Sequence, residues 1–197
     1  MERVTRDDVV ASALQALRGG GPDALSMRRL AEDLGVSYQV VYSRVGGKAD
    51  VVRAVHDDGF DVVRRRVAAL PERAGSAELV HAVARDYLAF AVAEPILFSV
   101  MFGNPVPEFV RDDAARAVEL DAFRSCWVVA VRAWLVEQDL PSGDRVAVRL
   151  AWRLWTAVHG ITVVHLAGHQ SPSGDPDVEV DLVVGDILAN PIGSGVA

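Results

Sequence analysis

Apolar residues recur three and four positions apart along most of this chain, a spacing that predicts helices throughout. Thr5-Arg6-Asp7-Asp8 reads as a capping box, and Val10, Leu14 and Leu17 follow on one face. A first helix over about 6–18 then ends at Gly19-Gly20-Gly21-Pro22. Ser26 caps a second, short helix whose apolar face is Leu30, Ala31 and Leu34. Gly35 stops it, because a left-handed residue is cheap for glycine, and Ser37 caps a third helix two residues later. In that helix Val41 and Val45 face inward, which leaves Tyr38, Gln39, Tyr42, Ser43 and Arg44 outward. Gly46-Gly47 breaks the chain, and Lys48 opens a longer helix that reaches about Leu70 before Pro71. Val52, Val55, Phe60 and Val63 form its apolar face.

Beyond 71–75 the pattern resumes at Ser76 with a stripe of Leu79, Val83, Tyr87, Phe90 and Ala91, halted at Pro95. Pro95 opens the short apolar segment PILFSVMF, closed by Gly103-Asn104-Pro105. A long pattern over about 108–138 repeats Phe123, Trp127, Ala130 and Trp134, and Pro141-Ser142-Gly143 ends it. The segment 144–167 carries two apolar faces. One holds Val148, Trp152, Trp155, His159 and Leu166; the other holds Leu150, Leu154, Val158, Ile161 and His165. A helix apolar on two faces needs two partners, one in its own domain and one such as a second copy of the chain. A last helix follows Asp177, with Val180, Val183, Val184, Ile187 and Leu188 before Pro191. The two final helices together suit an intermolecular four-helix bundle. Its expected interface is Leu154, Val158, Ile161, His165, Val180, Val184 and Ile187. The whole reads as an all-α chain of about nine helices.

Composition narrows the class. In 197 residues about half are apolar, yet no run approaches the roughly 20 apolar residues of a membrane span. The start, MERVTRDD, is acidic and lacks the apolar core of a secretory signal, and Cys126 is the single cysteine, so a cytoplasmic protein is expected. A net charge of −7 argues against a protein that coats nucleic acid non-specifically. Residues 28–48 run against that balance, with Arg28, Arg29, Arg44 and Lys48 facing only Glu32 and Asp33. A small basic edge on an acidic body suits one localised contact with DNA.

The two short helices joined at Gly35 have a helix-turn-helix layout, in which the second helix enters the major groove. The same layout occurs as a plain helical hairpin; the polar and aromatic surface of the second helix is what favours DNA. The first turn of the helix at Lys48 presents backbone N–H groups and an ammonium group, which suits a phosphate. The segments SMRRLAEDLGVS and VVYSRVGGKADVV, after a first helix ending in glycines, resemble the N-terminal domain of the TetR family of transcriptional regulators over residues 5–55. The resemblance implies a three-helix DNA-binding domain (1–47), a linking helix (48–70) and a helical-bundle domain for ligand binding and dimerisation (71–197). It implies phosphate contacts from Tyr42 and Lys48, and phosphate or base contacts from Ser26, Arg28, Ser37, Tyr38 and Gln39. Three positions depart from the family pattern. Val45 stands where an aromatic residue is usual, Gly47 replaces a small hydroxyl cap, and Gln39 replaces a small residue. The first two predict a looser start to the fourth helix; Gln39 adds a side chain that pairs with adenine. WTAVHG, together with PILFSVMFG, resembles a TetR-family subgroup of ligand domains marked by Trp, His and Gly.

In the second half, Tyr87, Phe90, Phe98, Met101, Phe102, Phe123, Trp127, Trp155 and His159 suit the lining of an aromatic ligand cavity. The same positions suit a filled core equally well. His159 is the natural polar group of such a cavity. His165 and His169 have a metal-binding spacing, but no third ligand lies nearby in sequence, so no metal site is assigned. Cys126, in an apolar helix beside Trp127, reads as an inert buried thiol. The chain contains no nucleophile elbow, phosphate loop or zinc-protease motif, so no catalytic residue and no cofactor are assigned. The expected function is a dimeric, ligand-responsive regulator, a repressor on an inverted-repeat DNA operator, released by a small apolar or aromatic effector. The alternatives are an activator with the same head, or a helical carrier or enzyme with a vestigial helix-turn-helix.

Overall fold

The computed structural model describes residues 4–70 and 75–191, and among these every regular element is helical. The order is α1 (Arg6–Ala24), α2 (Met27–Asp33), α3 (Tyr38–Val45), α4 (Lys48–Ala68), α5 (Ser76–Ala93), α6 (Pro95–Phe102), α7 (Asp113–Phe123), α8 (Val129–Glu137), α9 (Asp144–Leu166) and α10 (Pro176–Ala189). A single π-helical turn, Arg124–Val128, joins α7 to α8 without a break, so the described residues form nine continuous helical segments. The proline stop expected at Pro71 lies outside the described residues. The chain divides into two compact units: residues up to Val62 with Glu94–Glu119, and Val63–Ala93 with the chain from Leu120 onward.

In the first unit the local signals act as their chemistry dictates. Thr5 Oγ1 accepts from the Asp8 N–H at 3.2 Å while Asp8 Oδ2 accepts from the Thr5 N–H at 2.7 Å, closing the capping box. Regular geometry in α1 fails at Gly20 and Gly21, and a last turn containing Pro22 follows. The glycine stop is thus real, although a helical turn resumes after it. Ser26 and Ser37 cap α2 and α3 through the N–H groups of Arg29 and Val40. Gly35, with φ 64°, closes α2 in a Schellman motif: the Val36 N–H donates to Ala31 O and the Gly35 N–H to Glu32 O. Val9, Ala13, Leu17, Leu30 and Val41 are buried where α1, α2 and α3 meet.

The start of α4 is held by a device other than the hydroxyl cap. Asp50, at the third helical position, accepts from the Gly47 N–H at 2.8 Å, which supplies the carboxylate half of a capping box. Gly46, with φ 89°, is required here, because a Cβ would collide with the same carboxylate. Val45 is only half-buried. Further along α4, His56 is fully buried, with Nδ1 2.9 Å from Asp57 Oδ1 and Nε2 3.1 Å from Glu119 Oε1. Its ring packs on Phe60 and Phe109. At Gly59 a Cβ would lie 2.6 Å from Met101 Sδ, so the missing side chain lets α6 approach α4 closely.

The second unit is a helical bundle in which α5 packs against α8, α9 and α10, and α10 lies along α9. Its core takes Val80, Val83, Leu88 and Phe90 from α5, Leu150, Leu154 and Val158 from α9, and Val180, Val184 and Leu188 from α10. Arg85 reaches from α5 to α10 as a fork, with Nε 2.8 Å from Asp181 Oδ1 and Nη2 3.0 Å from Asp181 Oδ2. The residues that spacing assigns to a subunit interface fall differently here. Leu154, Val158, Val180 and Val184 are each 0 % exposed, enclosed by the single chain itself, and Ile161, His165 and Ile187 are half-buried. The exposed apolar side chains of these two helices are instead Trp152, Val163, Val164, Val178 and Leu182.

Candidate nucleic-acid interface and effector site

On α3, Tyr38 and Tyr42 are about half exposed, 51 % and 55 %, and their rings stack 6.2 Å apart at 20°. Gln39 is exposed beside them. A helix that needed only solubility gains nothing from two exposed, stacked phenols. Together with Gln39 they form an aromatic and amide edge able to meet base edges and backbone. Tyr42 therefore does not tuck its ring under α1. Ser26 and Ser37 are exposed at the starts of α2 and α3, with their hydroxyl oxygens engaged as caps. Arg28 extends from α2 into solvent and pairs with Glu32 at 3.0 Å; Arg29 pairs more loosely with Asp33. Such exposed pairs are weak and exchange easily for another anion.

Two basic residues sit where spacing alone does not place them. Arg44 is half-buried, and its Nε donates to the Val4 carbonyl at 2.9 Å, tying the start of the chain to α3 rather than facing outward. Lys48 Nζ lies 3.0 Å from Glu108 Oε1, a carboxylate from the segment between α6 and α7. The Lys48 ammonium helps hold the Glu108 carboxyl below the usual carboxylate range, behind a larger contribution from its own backbone N–H. Glu108 stands on the ammonium where a phosphate oxygen would. No sequence signal points to that pairing, since the two residues are far apart along the chain.

The nine expected ligand-lining residues divide between the two units. Phe98, Met101 and Phe102 belong to the first, where Phe102 packs on Phe98 at 4.8 Å and edge-on to Phe60 at 5.5 Å. Tyr87, Phe90, Phe123, Trp127, Trp155 and His159 belong to the second. There Tyr87 is buried and its hydroxyl lies 2.7 Å from His159 Nδ1. Trp127 meets the Tyr87 ring edge-on at 5.8 Å, and Trp155 stacks on His159 at 5.2 Å and 30°. Phe123 meets Trp155 edge-on at 6.2 Å. Trp127 reaches Tyr87 from within the π-helical turn, which offsets it from ordinary helical register. Phe90 stands apart: it is almost wholly buried, and the Arg66 guanidinium lies 6.0 Å from its ring. Trp152, read from the sequence only as part of an apolar face, joins the cluster 5.0 Å from Trp155 and is 55 % exposed. Its spacing of three from Trp155 was the available signal.

Burial sets the protonation of this cluster. It pushes the Tyr87 phenol far up and the His159 imidazole down, so the first keeps its proton and the second stays neutral. Burial likewise raises the Cys126 thiol, in keeping with an inert side chain. A separate cleft of about 430 Å³ opens where α9 and α10 diverge, lined by Thr156, Gly160, Val164, His165, His169 and Glu179 among others. Tertiary structure thus brings an acidic residue to the two histidines, although among the described residues no group of three His, Cys, Asp or Glu is placed to hold a metal ion. Among the described residues no helix is long and apolar enough to cross a membrane.

Solved structures share this fold. A protein with unknown function from Rhodococcus sp. RHA1 is 23 % identical, with a TM-score of 0.76 and 94 % of each chain covered. A TetR-family transcriptional regulator from Streptomyces coelicolor is 17 % identical, with a TM-score of 0.68 over 94 % of this chain and 87 % of that one. The Streptomyces coelicolor TetR family protein ActR, in complex with (S)-DNPA, is 24 % identical, with a TM-score of 0.60 over 96 % of this chain and 100 % of that one. No functionally curated protein matches the sequence. The family described as Tetracyclin repressor-like, C-terminal domain, matches residues 80–187, more than half of the chain. That match, falling on the unit that holds the aromatic cluster and following a helix-turn-helix with an exposed reading surface, shows that the chain belongs to the TetR family of ligand-responsive transcriptional regulators.

Proposed function

We propose that this regulator is a cytoplasmic repressor that binds an inverted-repeat operator as a homodimer and is released by a small, aromatic or apolar effector. The exposed, stacked edge of Tyr38, Gln39 and Tyr42 on α3 carries the reading. Tyr42, Lys48, Arg28 and the serines at positions 26 and 37 fix the register on phosphates, while Tyr38 and Gln39 read bases. Residues 1–47 form the reading head, 48–70 the link and 71–197 the effector and dimer domain, of the subgroup marked by WTAVHG. The chain passes from one compact unit to the other along α4, which makes that helix the natural lever. The effector acts only in so far as it binds the DNA-incompetent state more tightly than the competent one.

Selection of bound duplexes from a random-sequence pool tests the operator. The expected result is enrichment of two inverted half-sites about 10–10.5 base pairs apart, or a multiple of that; no enriched sequence defeats the proposal. Gln39→Ala is expected to flatten the preference at one base pair of each half-site, by about 1–3 kcal/mol for a bidentate contact. A selection profile identical to that of the parent removes Gln39 from the reading set.

The dimer contact is assigned to the exposed faces of α9 and α10 rather than to their enclosed seam. Val178 and Leu182 are one turn apart on α10, with Gly185 and Ala189 continuing the same stripe, and Val163 and Val164 are exposed on α9. Leu182→Arg is expected to yield a folded monomer at micromolar concentration, because it sets two like charges near the axis of a twofold interface. Sedimentation together with far-UV circular dichroism checks this: a dimer of unchanged affinity moves the contact elsewhere.

A further inference from the structure

The effector reading can be taken to the chemistry of its ligand, because the second unit holds a hydrogen-bond chain with a fixed direction. Tyr87 is 4 % exposed, so its hydroxyl must be satisfied from within the protein. The Trp155 indole N–H, which only donates, gives a hydrogen bond to the Tyr87 oxygen. Tyr87 keeps its own proton, since burial strongly disfavours the phenolate. That proton cannot go to the indole, and His159 Nδ1 lies 2.7 Å from the hydroxyl oxygen. Burial keeps His159 neutral, so Nδ1 offers a lone pair and accepts. A neutral imidazole carries one proton, and with Nδ1 accepting, that proton sits on Nε2. The order Trp155 to Tyr87 to His159 therefore has one consistent arrangement, and it ends in a donor.

The surroundings define what such a donor meets. Trp155 stacks on the His159 ring, Trp152 lies 5.0 Å from Trp155, and Phe123 stands edge-on to both tryptophans at 6.0 and 6.2 Å. Phe123, Trp155 and His159 are half-exposed and Trp152 is 55 % exposed, so these faces are open to a flat ligand. Neutral His159 contributes no positive charge, and a carboxylate set among aromatic faces would lose its hydration without a counter-charge. We infer that the Trp155–Tyr87–His159 chain makes His159 Nε2–H the polar contact of the effector site, and that the effector is a flat, uncharged aromatic compound bearing an oxygen acceptor such as a ketone. This rests on the second unit being the effector domain, and it goes beyond that reading by naming the acceptor, the donor atom and the proton's position.

Two measurements on the full chain test it. Two-bond ¹⁵N–¹H correlation spectra of ¹⁵N-histidine protein, with His159 identified by its loss in His159→Gln, are expected to show Nε2 protonated and Nδ1 bare. A proton on Nδ1 overturns the proposal without reference to any ligand. Tryptophan fluorescence titrations then compare 2-acetylnaphthalene, 2-ethylnaphthalene and 2-naphthoate. The ketone is expected to bind about tenfold more tightly than the alkyl probe, the worth of one good hydrogen bond, and the carboxylate no better than the ketone. His159→Leu is expected to bring ketone and alkyl probe to parity. Tyr87→Phe keeps the ring packing and is expected to reduce the ketone preference while leaving 2-ethylnaphthalene affinity unchanged. Equal binding of ketone and alkyl probes in the parent protein, tighter binding of naphthoate, a preference that survives His159→Leu, or no binding of any probe overturns the inference. Failure of the effector reading itself looks different: the probes bind with the expected order, yet none changes the affinity for a DNA duplex.

Discussion

Leu154→Ala is expected to destabilise the protein by about 2–5 kcal/mol, the range for deleting a fully buried leucine from a close-packed core. Leu154 is 0 % exposed on α9, in the bundle where α9 packs against both α5 and α10, and Val158, Val180 and Val184 are enclosed to the same degree. Removing three carbons there leaves a cavity among rigid helices that collapse onto it only partly. Urea denaturation at fixed protein concentration measures the loss, and Leu182→Ala on the exposed side of α10 provides the contrast, with a change within about 0.5 kcal/mol for a surface position in the monomer. Because a dimer links stability to concentration, the pair is best compared in the Leu182→Arg background. A Leu154→Ala loss below about 1 kcal/mol would mean that the α9–α10 seam is loosely filled and that its residues are available to a partner after all.

The Tyr42→Ala, Lys48→Ala double variant is expected to lose DNA affinity at every sequence, operator and non-operator alike. Both residues are assigned to phosphate, and phosphate contacts carry position rather than sequence. In a dimer Lys48→Ala removes two such contacts, so the slope of log K against log salt should shrink by about 1.8, at roughly 0.9 per neutralised phosphate. With charged hydrogen bonds at about 1.5–3 kcal/mol each, the lysine change alone should weaken binding by about 3–6 kcal/mol. Glu108→Gln should move affinity the other way, since it removes the carboxylate 3.0 Å from Lys48 Nζ that competes with a phosphate oxygen. That gain should vanish once Lys48 is alanine. Unchanged binding by the Tyr42→Ala, Lys48→Ala protein would show that the head meets DNA by another edge.

Much of the first unit was legible in the chain because its signals are local. Caps at Thr5, Ser26 and Ser37, the left-handed stop at Gly35 and the break at Gly46 each act within four residues, so sequence order alone is enough to place them. Asp50 belongs to the same class: its spacing of three from Gly47 carries the signal for the carboxylate half of a capping box, although the missing hydroxyl draws attention away from it. Lys48–Glu108 and Arg44–Val4 were not legible, since nothing local relates residues so distant in sequence.

By itself the sequence determined the helices, their ends, the family and the apolar faces, because period and capping are properties of a few consecutive residues. It also determined that α9 has two apolar faces, but not which one turns inward; burial depends on where α5 and α10 pack, and only the folded bundle decides that. The same holds for the aromatic positions. Periodicity placed Tyr87, Trp155 and His159 on inward or half-inward faces. Only the tertiary structure set the Tyr87 hydroxyl on His159 Nδ1, 72 residues away, and so determined which ring nitrogen carries the proton.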